Sequence, residues 1–164
     1  MTTLKKLLLI WAGILVLILV VAQFIITDSK RVHRVLKACE SAAREAQPDV
    51  LMEQIAGDYQ FQGMDWTTLD KLARTIFRKN QFSSMVLYKK TIKIAGDTAE
   101  VRFSAAVQPA SGSALPVSLS GWRFKMQKRD KQWLITEIEM LTLNGQSTGS
   151  LRQMMEQAAA MGGD

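Results

Sequence analysis

Residues 94–103 read Ile94-Ala95-Gly96-Asp97-Thr98-Ala99-Glu100-Val101-Arg102-Phe103. The segment Ala95–Thr98 carries the signal of a hairpin turn. After it, Ala99, Val101, Phe103, Ala105 and Val107 alternate with other residues and share one face of a strand. Before it, Ser83–Ile94 supplies the partner strand. Two more strands follow, Val117–Lys128 and Trp133–Leu143, joined by the turn Arg129-Asp130-Lys131-Gln132. Pro109–Pro116 is the loop between the two hairpins. Consecutive strands joined by short connections predict an antiparallel meander.

Upstream of the strands the period changes to that of helices. Val32, Val35, Leu36, Cys39, Ala42, Ala43 and Ala46 make one apolar face, with Lys30, Arg34, Lys37, Arg44 and Glu45 elsewhere. Pro48 suits the first turn of a short helix carrying Val50, Leu51 and Ile55, ended by Gly57. Asp58–Gln62 alternates as a short strand, broken by Gly63. Asp65 caps the next helix, and Thr67-x-x-Asp70 has the form of a capping box. Leu69, Leu72, Ala73, Ile76 and Phe77 are its buried stripe; Lys71, Arg74 and Arg78 are a solvated one.

The N-terminus decides the address. Leu7–Ile26 contains no charged residue and one polar one, Gln23. Crossing a bilayer takes roughly 20 apolar residues, whereas the apolar region of a cleaved signal has about 7–15. Val20-Val21-Ala22 is a passable cleavage site, but Phe24, Ile25 and Ile26 continue the run past it, which favours an uncleaved anchor. The positive-inside rule, read on Lys5 and Lys6 before the run and on Lys30, Arg31, Arg34 and Lys37 after it, points towards a cytoplasmic domain. The short lysine-bearing tail instead favours a signal-anchor that exports the chain beyond it. The expectation is a single-pass protein of the cell membrane with its domain outside the cytoplasm. Lys30, Arg31 and Arg34 then lie beside lipid headgroups. With neither proline nor glycine between Gly13 and Pro48, the spanning helix either runs on into the next or is re-capped at Asp28 or Ser29.

The 164 residues carry a net charge of +6, with one cysteine, Cys39, and one histidine, His33. An internal disulfide and a Cys/His zinc site are therefore excluded, and the basic clusters are too short to signal nucleic acid. After residue 143, Asn144–Gly149 reads as a flexible polar linker. Ser150-x-x-Gln153 then opens a helix, Leu151–Met161, lined on one side by Leu151, Met154, Met155 and Ala158. That Met-rich side docks either on its own domain or on a protein partner.

Three motifs in this order carry a resemblance. Leu51-x-x-x-Ile55-Ala56-Gly57-Asp58-Tyr59-x-Phe61-x-Gly63, the hairpin Ile94–Phe103, and Arg123–Ile135 with Trp133 after its turn are similar to elements of the nuclear transport factor 2-like superfamily. The similarity covers roughly Ser29–Leu143. It implies an α+β fold in which a cone of about three helices packs on a curved antiparallel sheet, here behind an N-terminal transmembrane helix. It divides the chain into an anchor (1–28), the domain (29–143) and a linker with a short helix (144–164). The superfamily holds enzymes, such as ketosteroid isomerases and scytalone dehydratases, and non-catalytic modules, including membrane-anchored subunits of secretion systems.

Isomerase-type chemistry needs a carboxylate base and a hydrogen-bond donor in an apolar pocket. The position that matches the isomerase base is Gly63, Asp65 is better used as a cap, and His33 sits on a helix surface. No phosphate loop, nucleophile elbow or metal-ligand cluster occurs. The sequence thus predicts no catalytic residue, cofactor or metal. It predicts a non-catalytic assembly module of a membrane complex, with the lipid bilayer and one or more proteins as partners, a possible homodimer through the sheet, and no nucleic acid. Leu151, Met154 and Met155 are the candidate partner-binding residues. The alternative is a small enzyme or carrier of an apolar ligand, with Tyr59, Tyr88 and Trp122 as candidate pocket residues.

Overall fold

The structure, a computed structural model, describes residues 2–79, 82–111 and 117–161. Residues 112–116 of the expected Pro109–Pro116 loop lie outside the described residues, as do the side chains of Ala158 and Met161. The first helix, α1, is continuous over Thr2–Arg44. Of the two options at Asp28, the helix takes the uninterrupted one. Its second half packs as expected: Val32, Val35, Leu36, Cys39, Ala42 and Ala43 are all buried. In its first half, side chains are described at Trp11 and at 13–22, and the rest of the Leu7–Ile26 run lies outside the described side chains. Among the described residues no helix is long and apolar enough to cross a membrane.

After α1 come α2 (Pro48–Met52), the two-residue strands β1 (Gln60–Phe61) and β2 (Met64–Asp65), and α3 (Trp66–Lys79). The expected strand Asp58–Gln62 shrinks to β1 because Gln62 and Gly63 both have positive φ (50° and 72°) and turn the chain back into β2. β2 leads straight into α3, where the Asp65 Oδ1 accepts the Thr68 amide at 2.7 Å, as a cap should.

The main sheet is antiparallel, β3 (Phe82–Ala95), β4 (Thr98–Pro109), β5 (Ser118–Arg129), β6 (Gln132–Leu143) and β7 (Gln146–Ser147), in chain order. The meander follows the alternation within a residue or two at most ends. Asn144–Gly149, expected as a linker, is partly a strand instead. Asn144 and Gly145 take positive φ and reverse the chain. The Thr148 hydroxyl then donates to the Met140 carbonyl. Asn144 is also held, its amide donating to the Leu119 carbonyl at 2.7 Å. A backbone splice ties the α2 end to β6: Ala56 donates to the Ile135 carbonyl and Ile135 to Gln54. The last helix, α4 (Leu151–Met161), packs against α3 and β6. Helices on one face of an antiparallel sheet enclose a single core that includes Val101, Phe103, Phe124, Met126, Trp133 and Ile135.

Candidate functional site

The core does not fill the space between sheet and helices. A cavity of about 410 Å³ remains, walled by α1, α3, α4 and the inner face of β3–β6. Its wall is almost wholly apolar: Ala43, Ala73, Leu87, Phe103, Phe124 and Ile138 are typical. Phe103 and Phe124 meet edge to face, 4.8 Å between centroids, and Trp122 stands against Phe124 in the same way. This ladder arises from inward positions on β4 and β5, with Phe103 paired to Trp122 in register.

Few polar groups reach the cavity. Trp122 Nε1 donates to Ser120 Oγ at 2.7 Å, and the Ser120 hydroxyl reaches the Ala105 carbonyl at 3.5 Å. Glu40 is the one carboxylate on the wall among the described residues. It accepts the Leu87 amide at 3.3 Å, so it closes a free N–H on edge strand β3, and Lys90 Nζ lies 3.8 Å away. Cys39 also borders the cavity, but burial pushes its thiol up to about 12, which keeps it protonated at neutral pH. Among the described residues no three His, Cys, Asp or Glu side chains cluster to hold a metal.

Of the three pocket residues expected from sequence, Trp122 lines the cavity. Tyr59 is buried in the core beside it, and its phenol is pushed up to about 12 by burial. No hydrogen-bond partner for its hydroxyl is present among the described residues. Tyr88 lies on the opposite, outer face of β3, paired with Ser104, because Leu87 and Met85 take the inward positions. Neither Asp58 nor Asp65 reaches the cavity. Asp58 is exposed and paired with Arg129 at 2.6 Å, which holds its carboxyl below the usual range. Asp65 is likewise held low by its bond to Thr68. His33 is exposed and bonds the Ser29 carbonyl with Nδ1 at 2.9 Å.

The structure places the partner-binding candidates on the cavity wall. Leu151 is buried, and Leu151, Met154 and Met155 all line the cavity, so this side of α4 is turned into its own domain. The helix is pinned there by Leu151 N–H to Gln62 Oε1 and by Arg152 to the Gly63 carbonyl. Sequence reasoning missed Ser120 and Glu40. Their only signal is position: a serine on the inward register of β5 and a glutamate one step after Cys39 on the buried side of α1.

A second hollow, of about 580 Å³ and polar, lies at the other end of the domain half of α1. Arg31, Arg34, Lys131, Gln132, Gln54 and Glu53 border it, over a floor of Val35, Trp133 and Leu134. Below it Asp28 accepts from Lys128 Nζ at 3.0 Å and from Trp133 Nε1 at 3.3 Å. Burial alone would raise the Asp28 carboxyl, but these two bonds together with the charges of Lys128 and Arg31 outweigh it and leave it below the usual value.

No family model matches the chain, and no curated protein matches it in sequence. Solved structures do match in shape. A protein of unknown function from Mycobacterium tuberculosis superposes with a TM-score of 0.64 at 14% identity, over 84% of this chain and 97% of that one. A provisionally assigned dehydratase of the NTF2-like family from Streptomyces avermitilis gives 0.60 at 14% identity, over 70% and 95%. A provisionally assigned ketosteroid isomerase from Shewanella frigidimarina gives 0.54 at 17% identity, over 65% and 91%. The chain therefore has the nuclear transport factor 2-like fold, α helices packed on an antiparallel meander around a hollow core.

Proposed function

We propose that this protein holds a small apolar ligand in the cone cavity and is tethered to a membrane by the first half of α1. The observation that carries the ligand reading is the cavity itself. Its volume falls within the roughly 300–1,000 Å³ of small-molecule sites, and an apolar wall with a few convergent polar groups is their usual make-up. The assignment of two neighbours as a dehydratase and an isomerase supports a ligand-holding cone over a purely structural one. Binding is the primary role. Glu40 would have to leave the Leu87 amide before it could take a proton from a ligand, and it is the one carboxylate on the wall among the described residues.

The tether is supported by the sequence run Leu7–Ile26 and by the surface of its described part. Trp11, Leu15, Leu17 and Leu19 are each more than 60% exposed on a continuous helix. An apolar helix surface of this kind needs lipid or a partner to cover it. The described part is shorter than the roughly 20 residues a crossing takes, so the full run carries the reading.

The test uses the full chain in phosphatidylcholine nanodiscs. Calorimetric titration with a neutral bicyclic aromatic alcohol, against empty discs, should show saturable binding by wild type. Ala73→Phe, which fills the cavity from α3, should abolish it while Glu40→Gln retains it. Equal uptake by wild type and Ala73→Phe, with both folded by thermal melt, would defeat the ligand reading. Release of the chain from cell membranes by alkaline carbonate would defeat the tether.

A further inference from the structure

We infer that the polar cleft between α1 and the β5–β6 turn is a binding site for the phosphate headgroup of an anionic phospholipid. The inference deepens the tether proposed above and rests on it. Its first support is height. α1 rises about 1.5 Å per residue, so Arg31 and Arg34 lie about 7 and 12 Å beyond Ile26, the last apolar residue of the run. Bilayer headgroup layers occupy about 5–8 Å on each side of the hydrocarbon, so the first arginine falls at or just outside the phosphates and the second one turn above.

The second support is the turn that closes the cleft. Residues 100 positions apart are locked together here: Arg31 Nη1 donates to the Lys131 carbonyl at 3.3 Å, and Lys128 pairs with Asp28. These bonds hold the Lys131 backbone against Arg31, and Lys131 and Arg34 border the same cleft. The β3–β4 turn joins this end, since the Lys128 amide donates to the Asp97 carbonyl at 2.8 Å.

The third support is charge. Arg31, Arg34 and Lys131 face one acid on the wall, the exposed Glu53. Asp28 lies 4.0 Å from Arg31 but is committed to Lys128 at 3.0 Å. Among the described residues Arg34 and Lys131 have no carboxylate within 4.0 Å, whereas Lys128 and Arg129 of the same turn are each paired, with Asp28 and Asp58. Guanidinium groups offer fixed N–H forks suited to phosphate, and Gln132 and Gln54 add neutral donors. A free phosphate monoester presents the same chemistry; the site's level against the bilayer favours the lipid.

The experiment compares the full chain in nanodiscs of phosphatidylcholine with and without phosphatidylglycerol. Lipid retained after detergent extraction is read by native mass spectrometry. The variant is Arg34→Gln with Lys131→Gln, because neither side chain makes an ion pair in the described structure. Basic residues near a membrane contribute about fivefold each, so the pair should weaken phosphatidylglycerol retention about 25-fold. A matched variant, Lys71→Gln with Lys93→Gln, removes the same charge elsewhere and should leave retention unchanged. Retention unaltered in the cleft variant, or lowered equally in both, would overturn the site. Displacement of the lipid by millimolar glycerol phosphate in wild type alone would support it, and preferential uptake of glycerol phosphate from solution in lipid-free detergent would assign the site to a soluble phosphate instead, overturning the lipid assignment. Carbonate extraction of each variant is run alongside. A chain that leaves the membrane refutes the tether, whereas a chain that stays but ignores phosphatidylglycerol refutes only the cleft.

Discussion

Two hollows border the second half of α1, about one turn apart. The lower is lined by Arg31, Arg34 and Lys131 and is polar; the upper, beginning at Cys39, is walled by side chains such as Leu87, Phe103 and Ile138. The helix that separates them is one element with one period. What differs is what the sheet places opposite it. Across from the lower turns stands a hairpin tip, where Lys131 and Gln132 are exposed; across from the upper turns stand the inward positions of four strands. The chemistry of the lining thus follows the distance along the strands from their turns: charge at the tip, hydrocarbon in the middle.

The contrast is sharpest in what truncation costs. Phe103 is buried on the cavity wall and stacked edge to face on Phe124. Phe103→Ala should destabilise by about 3–5 kcal/mol, transfer and cavity terms together. Leu134→Ala, on the half-buried floor of the cleft, should cost about 1 kcal/mol. Denaturant melts of the full chain in detergent measure both. Equal losses would mean that the two hollows are not differently built.

α4 is the second place to press. Leu151→Ala removes a buried leucine at the mouth of the cavity and should cost about 2–3 kcal/mol, near the low end for leucine because one side already faces a hollow. Ending the chain after Ser150 should leave the meander folded by circular dichroism and abolish retention of the apolar ligand. Lipid retention by the cleft should not change. A truncated chain that still binds the aromatic alcohol as wild type does would show that α4 is no part of the site.

Much of this was legible in the sequence, for identifiable reasons. The β4 face Ala99, Val101, Phe103, Ala105 and Val107 could be read because it alternates without interruption. Tyr88 could not be placed, because a bulge with positive φ at Lys89 shifts the register between Tyr88 and Thr91. Leu87 points inward before it and Ile92 after it, so parity counted from either end gives opposite faces. The cavity was hidden because wall residues and core residues are the same types at the same spacing. The cleft was hidden because its charges, read singly, look like solvated surface. The Met-rich side of α4 left its docking open, and Gln62 and Gly63, which hold the helix in place, are 89 residues away.

The ion pair beneath the cleft should show itself in acid. The Asp28 carboxyl is held below its ordinary value in the folded chain, so its contribution is fully present above the unfolded value of about 4 and is lost as the pH falls through the folded one. Asp28→Asn should cost about 1–2 kcal/mol at pH 7, where Lys128 loses its partner and Trp133 keeps an acceptor. The gap between variant and wild type should persist down to about pH 4 and narrow as the pH falls below it. A gap constant with pH would place the effect in packing.

The smallest expected effect is the most informative about the cavity. Trp122 Nε1 is bound to Ser120 Oγ at 2.7 Å, but the serine hydroxyl reaches the Ala105 carbonyl only at 3.5 Å, the outer limit of a useful bond. Its proton is therefore loosely held, in a wall that otherwise offers hydrocarbon. A ligand with a carbonyl or hydroxyl oxygen can accept that proton at shorter range, whereas a pure hydrocarbon cannot. Ser120→Ala removes the donor and leaves the indole N–H without its acceptor. It should cost about 1 kcal/mol of stability, and about fivefold in affinity for the oxygen-bearing ligand. A hydrocarbon of equal size should bind the variant as well as it binds wild type. Trp122→Phe separates the two halves of the pair, since it deletes the indole N–H and leaves the serine hydroxyl free to turn to the ligand; it should preserve the preference for oxygen. Equal loss for both ligands in Ser120→Ala would show that the pair only packs, and that the cavity selects by shape alone.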